Sequence, residues 1–165
     1  MSLHTDLLAQ SLHLARLDPR RPRQANLRRA VSSAYYALFH LLIHEATSTL
    51  IAVPAVRDRF SRAFEHGDMR SASKVFANPQ PNQLADLTGG VQVPTDLQSI
   101  AATFVALQDV RHQADYNVRR TFGRLEVMNL VNRVDQAFQL WRTLRTDPAA
   151  RMYLAALLLW KKWNR

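Results

Sequence analysis

The segment Asp109-Val110-Arg111-His112-Gln113-Ala114-Asp115-Tyr116-Asn117 is the densest polar cluster in the chain. Read at the helical period, Ile100, Phe104, Leu107, Arg111 and Ala114 fall on one line, so Arg111 points along an otherwise apolar face. A guanidinium in such a place is costly unless it is paired and hydrogen-bonded. Asp115, four residues on, is the nearest partner. A second mixed line, Arg29, Ser33, Tyr36 and His40, runs along an earlier helix at spacings of four, three and four. Two facing helices that carry Arg111, Asp115 and Tyr116 on one side and Tyr36 and His40 on the other enclose a polar pocket. Two readings fit it: a buried network that fixes helix register, or a ligand or catalytic site.

A second concentration is purely basic. Arg16, Arg20, Arg21, Arg23, Arg28 and Arg29 fall within 14 residues. Arg20, Arg21, Arg23, Arg28 and Arg29 are candidates for phosphate contact, and a solvated basic loop is the plainer reading. The whole chain carries 22 basic against 13 acidic residues, a net charge of +9. Only Lys74, Lys161 and Lys162 are lysines; the other basic residues are arginines, which bond phosphate bidentately and stack on bases. The same bias arises from a GC-rich genome, so charge alone suggests a polyanionic partner without establishing one. Arg57, Arg59, Arg62 and Arg70 interleave with aromatic residues as a single-strand stacking surface does. Val56, Phe60 and Phe64 at i, i+4, i+8 are more simply a core stripe.

Other chemistries are excluded or weak. Without cysteine there is no disulfide framework, thiolate metal site or thiol nucleophile. His40 and His44 have a zinc-compatible spacing but no evident third ligand, so no metal is expected. The chain has no Walker loop and no Ser–His–Asp elbow, and its carboxylates are too scattered for a glycosidase pair. No cofactor is expected. No apolar run approaches a membrane span, and the opening residues lack an export signal, which predicts a cytoplasmic protein with no membrane partner.

The elements that must position these residues read as helices throughout. Helices are expected over about 4–17, 24–51, 94–117, 123–145 and from 147 onward. A broken helical region at 54–76 is interrupted at Gly67-Asp68, and an irregular loop spans 78–94. Asp18-Pro19 stops the first helix, and Asp147-Pro148 restarts the last with Asp as N-cap and Pro at N1. Gly123 and Glu126 form a capping arrangement. Residues 152–160 are apolar on all sides, so the last helix is buried on several faces or docked on another subunit. The chain is one all-α domain of 1–165 with a C-terminal helix over about 147–163.

Two motifs together carry a family likeness. Ala34-Tyr35-Tyr36-Ala37-Leu38-Phe39-His40, within the helix that begins near Asn26, is followed much later by Arg111-His112-Gln113-Ala114-Asp115-Tyr116. In this order they resemble the HEPN superfamily of prokaryotic helical domains, over about 24–145, and most of all its small single-domain branch. The resemblance implies an antiparallel four-helix-bundle core, here with one or two extra helices, and usually a homodimer. It implies a role in RNA metabolism or defence. Many members are metal-independent ribonucleases, some of them toxins paired with a nucleotidyltransferase antitoxin. The nuclease motif is an Arg, four to six residues, then a His. Counted from Arg111 those positions are Tyr116, Asn117 and Val118, and His112 lies about 100° away around the helix. The arginine half carries over onto Arg111 and the histidine half does not. A base for a ribose hydroxyl would have to be His40 or Tyr116. The expected function is therefore an RNA- or nucleotide-associated binding domain, non-catalytic and acting with a partner protein. The alternatives are a ribonuclease using Arg111 and a purely structural interaction module.

Overall fold

The second helix decides the architecture, because its sequence has almost no polar side. In the computed structural model, which describes residues 2–80 and 89–163, α2 spans Gln24–Leu50 and is buried at nearly every position from Ala30 to Thr47. Ala30, Ala34, Ala37 and Ala46 on it let neighbouring helices approach closely. α1 (Leu3–Arg16) lies along one side of it. α5 (Thr95–Tyr116) and α6 (Arg124–Leu144) close two more sides. Between α2 and α5 come a 3-10 turn at Pro54–Val56, the short α3 (Arg57–Ser61) and α4 (His66–Ala77). The last helix, α7 (Pro148–Trp163), packs on α4 and on α2. The molecule is thus an all-helical bundle of α1, α2, α5 and α6, flanked by the α4–α7 pair. No strand occurs among the described residues, and no helix among them is long and apolar enough to cross a membrane.

The helix boundaries have local causes. α1 ends at Arg16, and Asp18 takes a left-handed backbone with φ of 54°, reversing the chain before Pro19. Asp147 caps α7: its Oδ1 accepts the Ala149 N–H at 2.7 Å. Before α6 only half a capping box is chemically available, since Gly123 has no side-chain acceptor; the Gly123 N–H points to Glu126 Oε2 at 3.4 Å. α1, expected outside the 24–145 core, instead contributes to it through Ser11 and Ala15, both fully buried.

Two expectations fail in the 54–76 region. The interruption falls before α4, at 62–65, and Gly67 and Asp68 sit inside its first turn. Gly67 stands at the second residue of α4, outside the helix interior where a glycine's backbone freedom costs most. The break also destroys the stripe of Val56, Phe60 and Phe64. The chain turns between α3 and α4, so Phe64 enters the core while Phe60 stays exposed. Of the expected loop at 78–94, residues 81–88 lie outside the described residues; Gly89 and Gly90 follow with φ of 60° and 88°.

The apolar run at 152–160 is met mostly within the chain. Tyr153, Leu154, Ala156 and Leu157 are buried, and the Tyr153 hydroxyl shares a 2.8 Å hydrogen bond with Ser73 of α4. Leu159 and Trp163 face outward. Leu157→Ala is therefore expected to cost about 2–4 kcal/mol in thermal or denaturant unfolding. Leu159→Ala, two residues on, should change stability by less than about 0.5 kcal/mol.

Candidate functional site

Arg111 sits in the last two turns of α5, where that helix crosses the middle of α2. Its side chain is 18% exposed. Nη2 donates to the Tyr36 hydroxyl at 2.8 Å, and Cζ lies 5.5 Å and 5.4 Å from the ring centroids of Tyr35 and Tyr36. Nε is 2.8 Å from Asp115 Oδ2, an ion contact across one helical turn. The Nε–H direction misses the alignment of a hydrogen bond, so charge rather than a directed bond holds that side. The other carboxylate oxygen, Asp115 Oδ1, accepts from Ser32 Oγ at 2.5 Å. The guanidinium is thus held by one carboxylate, one phenol and two aromatic faces.

A second layer lies on the far side of the tyrosines. The Tyr35 hydroxyl is 2.6 Å from His66 Nδ1, at the first residue of α4. Burial pushes the Tyr35 phenol well above its usual range, so it stays protonated. Burial first, then the charge of Arg111 and of His40, lowers His66 and favours neutral imidazole. The phenol and Nδ1 share this hydrogen bond, and the imidazole tautomer sets which of them donates. The imidazole stacks on Phe39 with ring centroids 4.4 Å apart. Gln108 of α5 bonds the His66 carbonyl at 3.2 Å, and Arg70 of α4 grips Asp109 of α5 through contacts of 2.7 Å and 2.9 Å. These links fix the start of α4 against α5.

The two polar lines therefore meet, though not residue for residue. Arg111, Asp115 and Tyr36 form one cluster. His40 reaches it only through Tyr36, its ring stacked on the phenol at 6.2 Å, and its pKa is lowered by burial. Tyr116 is apart: it is exposed at the end of α5 and touches His112 at 5.0 Å between ring centres. Five residues along a helix turn it about 140° from Arg111. Ser33, on the expected line, faces α1 and bonds Gln10 at 3.1 Å.

Among the phosphate candidates, Arg28 is fully engaged. It donates to the carbonyls of Ala114, Asn117, Val118 and Arg120, and so closes the C-terminal end of α5. Arg23 makes a loose 3.7 Å contact with Asp18, while Arg20, Arg21 and Arg29 make no ion pair or hydrogen bond among the described residues. No protein-family model, curated protein or solved structure gives a significant match to this chain. The site must speak through its own geometry.

That geometry favours holding over reacting. The positive charge of Arg111 is already opposed by Asp115. His66 Nδ1 is occupied by the Tyr35 hydroxyl. Sequence reasoning missed Ser32, Tyr35 and His66. Ser32 is one turn before Tyr36 and could have been found by asking what else meets Asp115. Tyr35 falls on the apolar stripe of its helix, which hides its hydroxyl. His66 lies beyond a chain break, where periodicity gives no signal.

Arg111→Ala leaves a partly buried carboxylate without its charge partner and is expected to lower stability by about 2–3 kcal/mol, below the cost of breaking a fully buried pair. The double substitution with Asp115→Ala should be non-additive by at least about 1 kcal/mol in denaturant unfolding.

The histidines supply a pH test. His4, His40 and His66 are each held below their ordinary value, chiefly by burial. The unfolded chain binds these protons near pH ~6.5 and the folded chain only at lower pH. Across that window the unfolded state carries more protons, so stability falls as pH drops from about 6.5 through the folded values. The melting temperature is expected to fall between about pH 7 and pH 5, with a shallower fall in His66→Asn.

Proposed function

We propose that this chain is a HEPN-like helical domain that binds RNA through an arginine-rich end of the bundle, without efficient cleavage, and works beside a partner protein. The observation that carries this reading is the meeting of two basic loops that are far apart in sequence. Gln24 exchanges two hydrogen bonds with the backbone of Phe122, at 2.9 Å and 2.8 Å. Arg28 spans to 114–120, and Arg124 donates to the carbonyls of Leu17 and Asp18. Arg20, Arg21 and Arg23 of the first loop therefore share one end of the bundle with Arg119 of the second, while the neighbouring Arg120 is paired with Glu126. Such a cluster attracts a phosphate backbone with little regard to sequence.

The commitment of Arg111 to Asp115 and the tyrosines supports binding over catalysis. The missing histidine of the nuclease motif supports it too. Exposed Tyr116, Val118 and Leu125 lie beside the basic end and suit a subunit contact, in keeping with a homodimer. A nucleotidyltransferase-type protein is the partner class that the resemblance implies.

Retention of single-stranded RNA should weaken steeply with salt. Replacing Arg20, Arg21 and Arg23 together by Ala should reduce the slope of log K against log salt by about 2, at roughly 0.7 for each phosphate no longer neutralised. Arg111→Ala should leave that slope unchanged. A shallow slope in the unaltered protein refutes polyanion binding, and metal-free RNA cleavage abolished by Arg111→Ala replaces this reading with a ribonuclease.

A further inference from the structure

Of the lysines Lys74, Lys161 and Lys162, the last two are adjacent and stand between Trp160 and Trp163 at the end of α7. A GC-rich genome accounts for arginines and not for this pair. The inner face of the helix is committed to the core through Ala149, Ala150, Tyr153, Leu154, Ala156 and Leu157.

The outer face is apolar as well. Met152, Ala155, Leu159 and Trp163, at spacings of three, four and four, share the side turned away from the core over about 16 Å of helix. Leu159 and Trp163 are exposed there, and Met152 and Ala155 are half-buried. A surface helix ordinarily turns charged and polar residues to this side, so the stripe marks a contact.

The border of the stripe is basic. Arg151 and Lys162 are exposed beside it and form no ion pair among the described residues. Lys161 reaches Glu65 at 3.9 Å, with both side chains well exposed, a loose contact that water weakens. The same contact brings exposed Arg62, three residues before Glu65, to this end of α7.

Apolar and cationic groups on one convex helix face select among partners. An RNA is met by charge and by stacking, and has no use for Met152 and Leu159. A second copy seated on the same face brings the same cations to the contact, and like charges oppose it. A bilayer with acidic headgroups answers both kinds of group. Its acyl boundary takes Met152 and Leu159, and its interfacial zone takes the Trp163 indole. The lysine stems lie along apolar surface while their ammonium groups reach the headgroups.

We propose that the outer face of α7 lies on a membrane surface rich in anionic lipid. Leu159 and Trp163 enter the headgroup zone, and Lys161, Lys162, Arg151 and Arg62 meet acidic headgroups. The helix rests in the plane of the membrane and does not cross it. The expectation of no membrane partner rests on the lack of a spanning run, which excludes a crossing helix and leaves this mode open. The face is built from other elements than the arginine end.

The full chain should co-sediment with vesicles of mixed phosphatidylglycerol and phosphatidylcholine, and not with phosphatidylcholine alone. Its tryptophan emission should be quenched by lipids brominated in the acyl chain. Replacing Lys161 and Lys162 together by Gln should weaken vesicle binding about tenfold. Leu159→Ser with Trp163→Ser should weaken it about as much and remove most of the quenching, with an unchanged circular-dichroism spectrum. Replacing Arg20, Arg21 and Arg23 together by Ala should leave both readouts in place. Absence of binding to the acidic vesicles overturns the proposal. So do binding that survives both α7 variants, binding without bromine quenching, and binding lost in the arginine-loop variant. A dimer that becomes a monomer in the Leu159→Ser, Trp163→Ser variant gives the face to a second copy and overturns it too.

Discussion

Enclosing α2 on every side obliges each polar group along it to find a partner on another helix. A buried donor or acceptor without one costs as much as a lost hydrogen bond or more. The chain meets the obligation one residue at a time. Ser32 is met by Asp115 of α5, Ser33 by Gln10 of α1, Tyr35 by His66 of α4 and Tyr36 by Arg111 of α5. Farther along, buried Glu45 is met by Arg145 just past α6, and Thr47 turns back onto the Ile43 carbonyl of its own helix. α1, α4 and α5, and the segment just past α6, are thereby set in register against α2 by a specific bond as well as by apolar packing.

Arginine rather than lysine suits this task. Arg28 reaches four carbonyls at once, Arg111 combines a carboxylate, a phenol and two rings, and Arg124 spans two carbonyls. A planar fork with five donors can do this, and a point-charge ammonium cannot. Part of the positive charge that looks available in the sequence is therefore spent inside the fold. Arg20 and Arg21, which make no ion pair or hydrogen bond among the described residues, belong to what is left.

Long periodic helices and the Arg111–Asp115 pair were legible in the sequence because both follow from the 3.6-residue repeat. An arginine among Ile100, Phe104 and Leu107 must turn inward, and i+4 places its partner. The capping role of Asp147 was equally local. The break at 62–65 was not legible, since it depends on Phe64 being drawn into a core whose position no local pattern records. Nor was His66, which reaches Tyr35 only because α4 is pinned by Arg70 to Asp109 and by Gln108 to the His66 backbone. Arg28 looked like a phosphate ligand because nothing near it in sequence needs a donor; its acceptors are about 90 residues away.

The same long spans shape how the chain reaches its fold. The stitches that close the arginine end join residues 86 to 107 apart, and the Arg145–Glu45 link joins residues 100 apart. Closing loops of that length precedes any reward from the contact, so these links form late, after the local helices. On the ribosome, α1, α2 and α4 emerge before α5 and α6 exist to satisfy Ser32, Tyr36 and Glu45. Ser32, Tyr36 and Glu45 stay wet until the second half of the chain arrives, which keeps the place of α5 and α6 open.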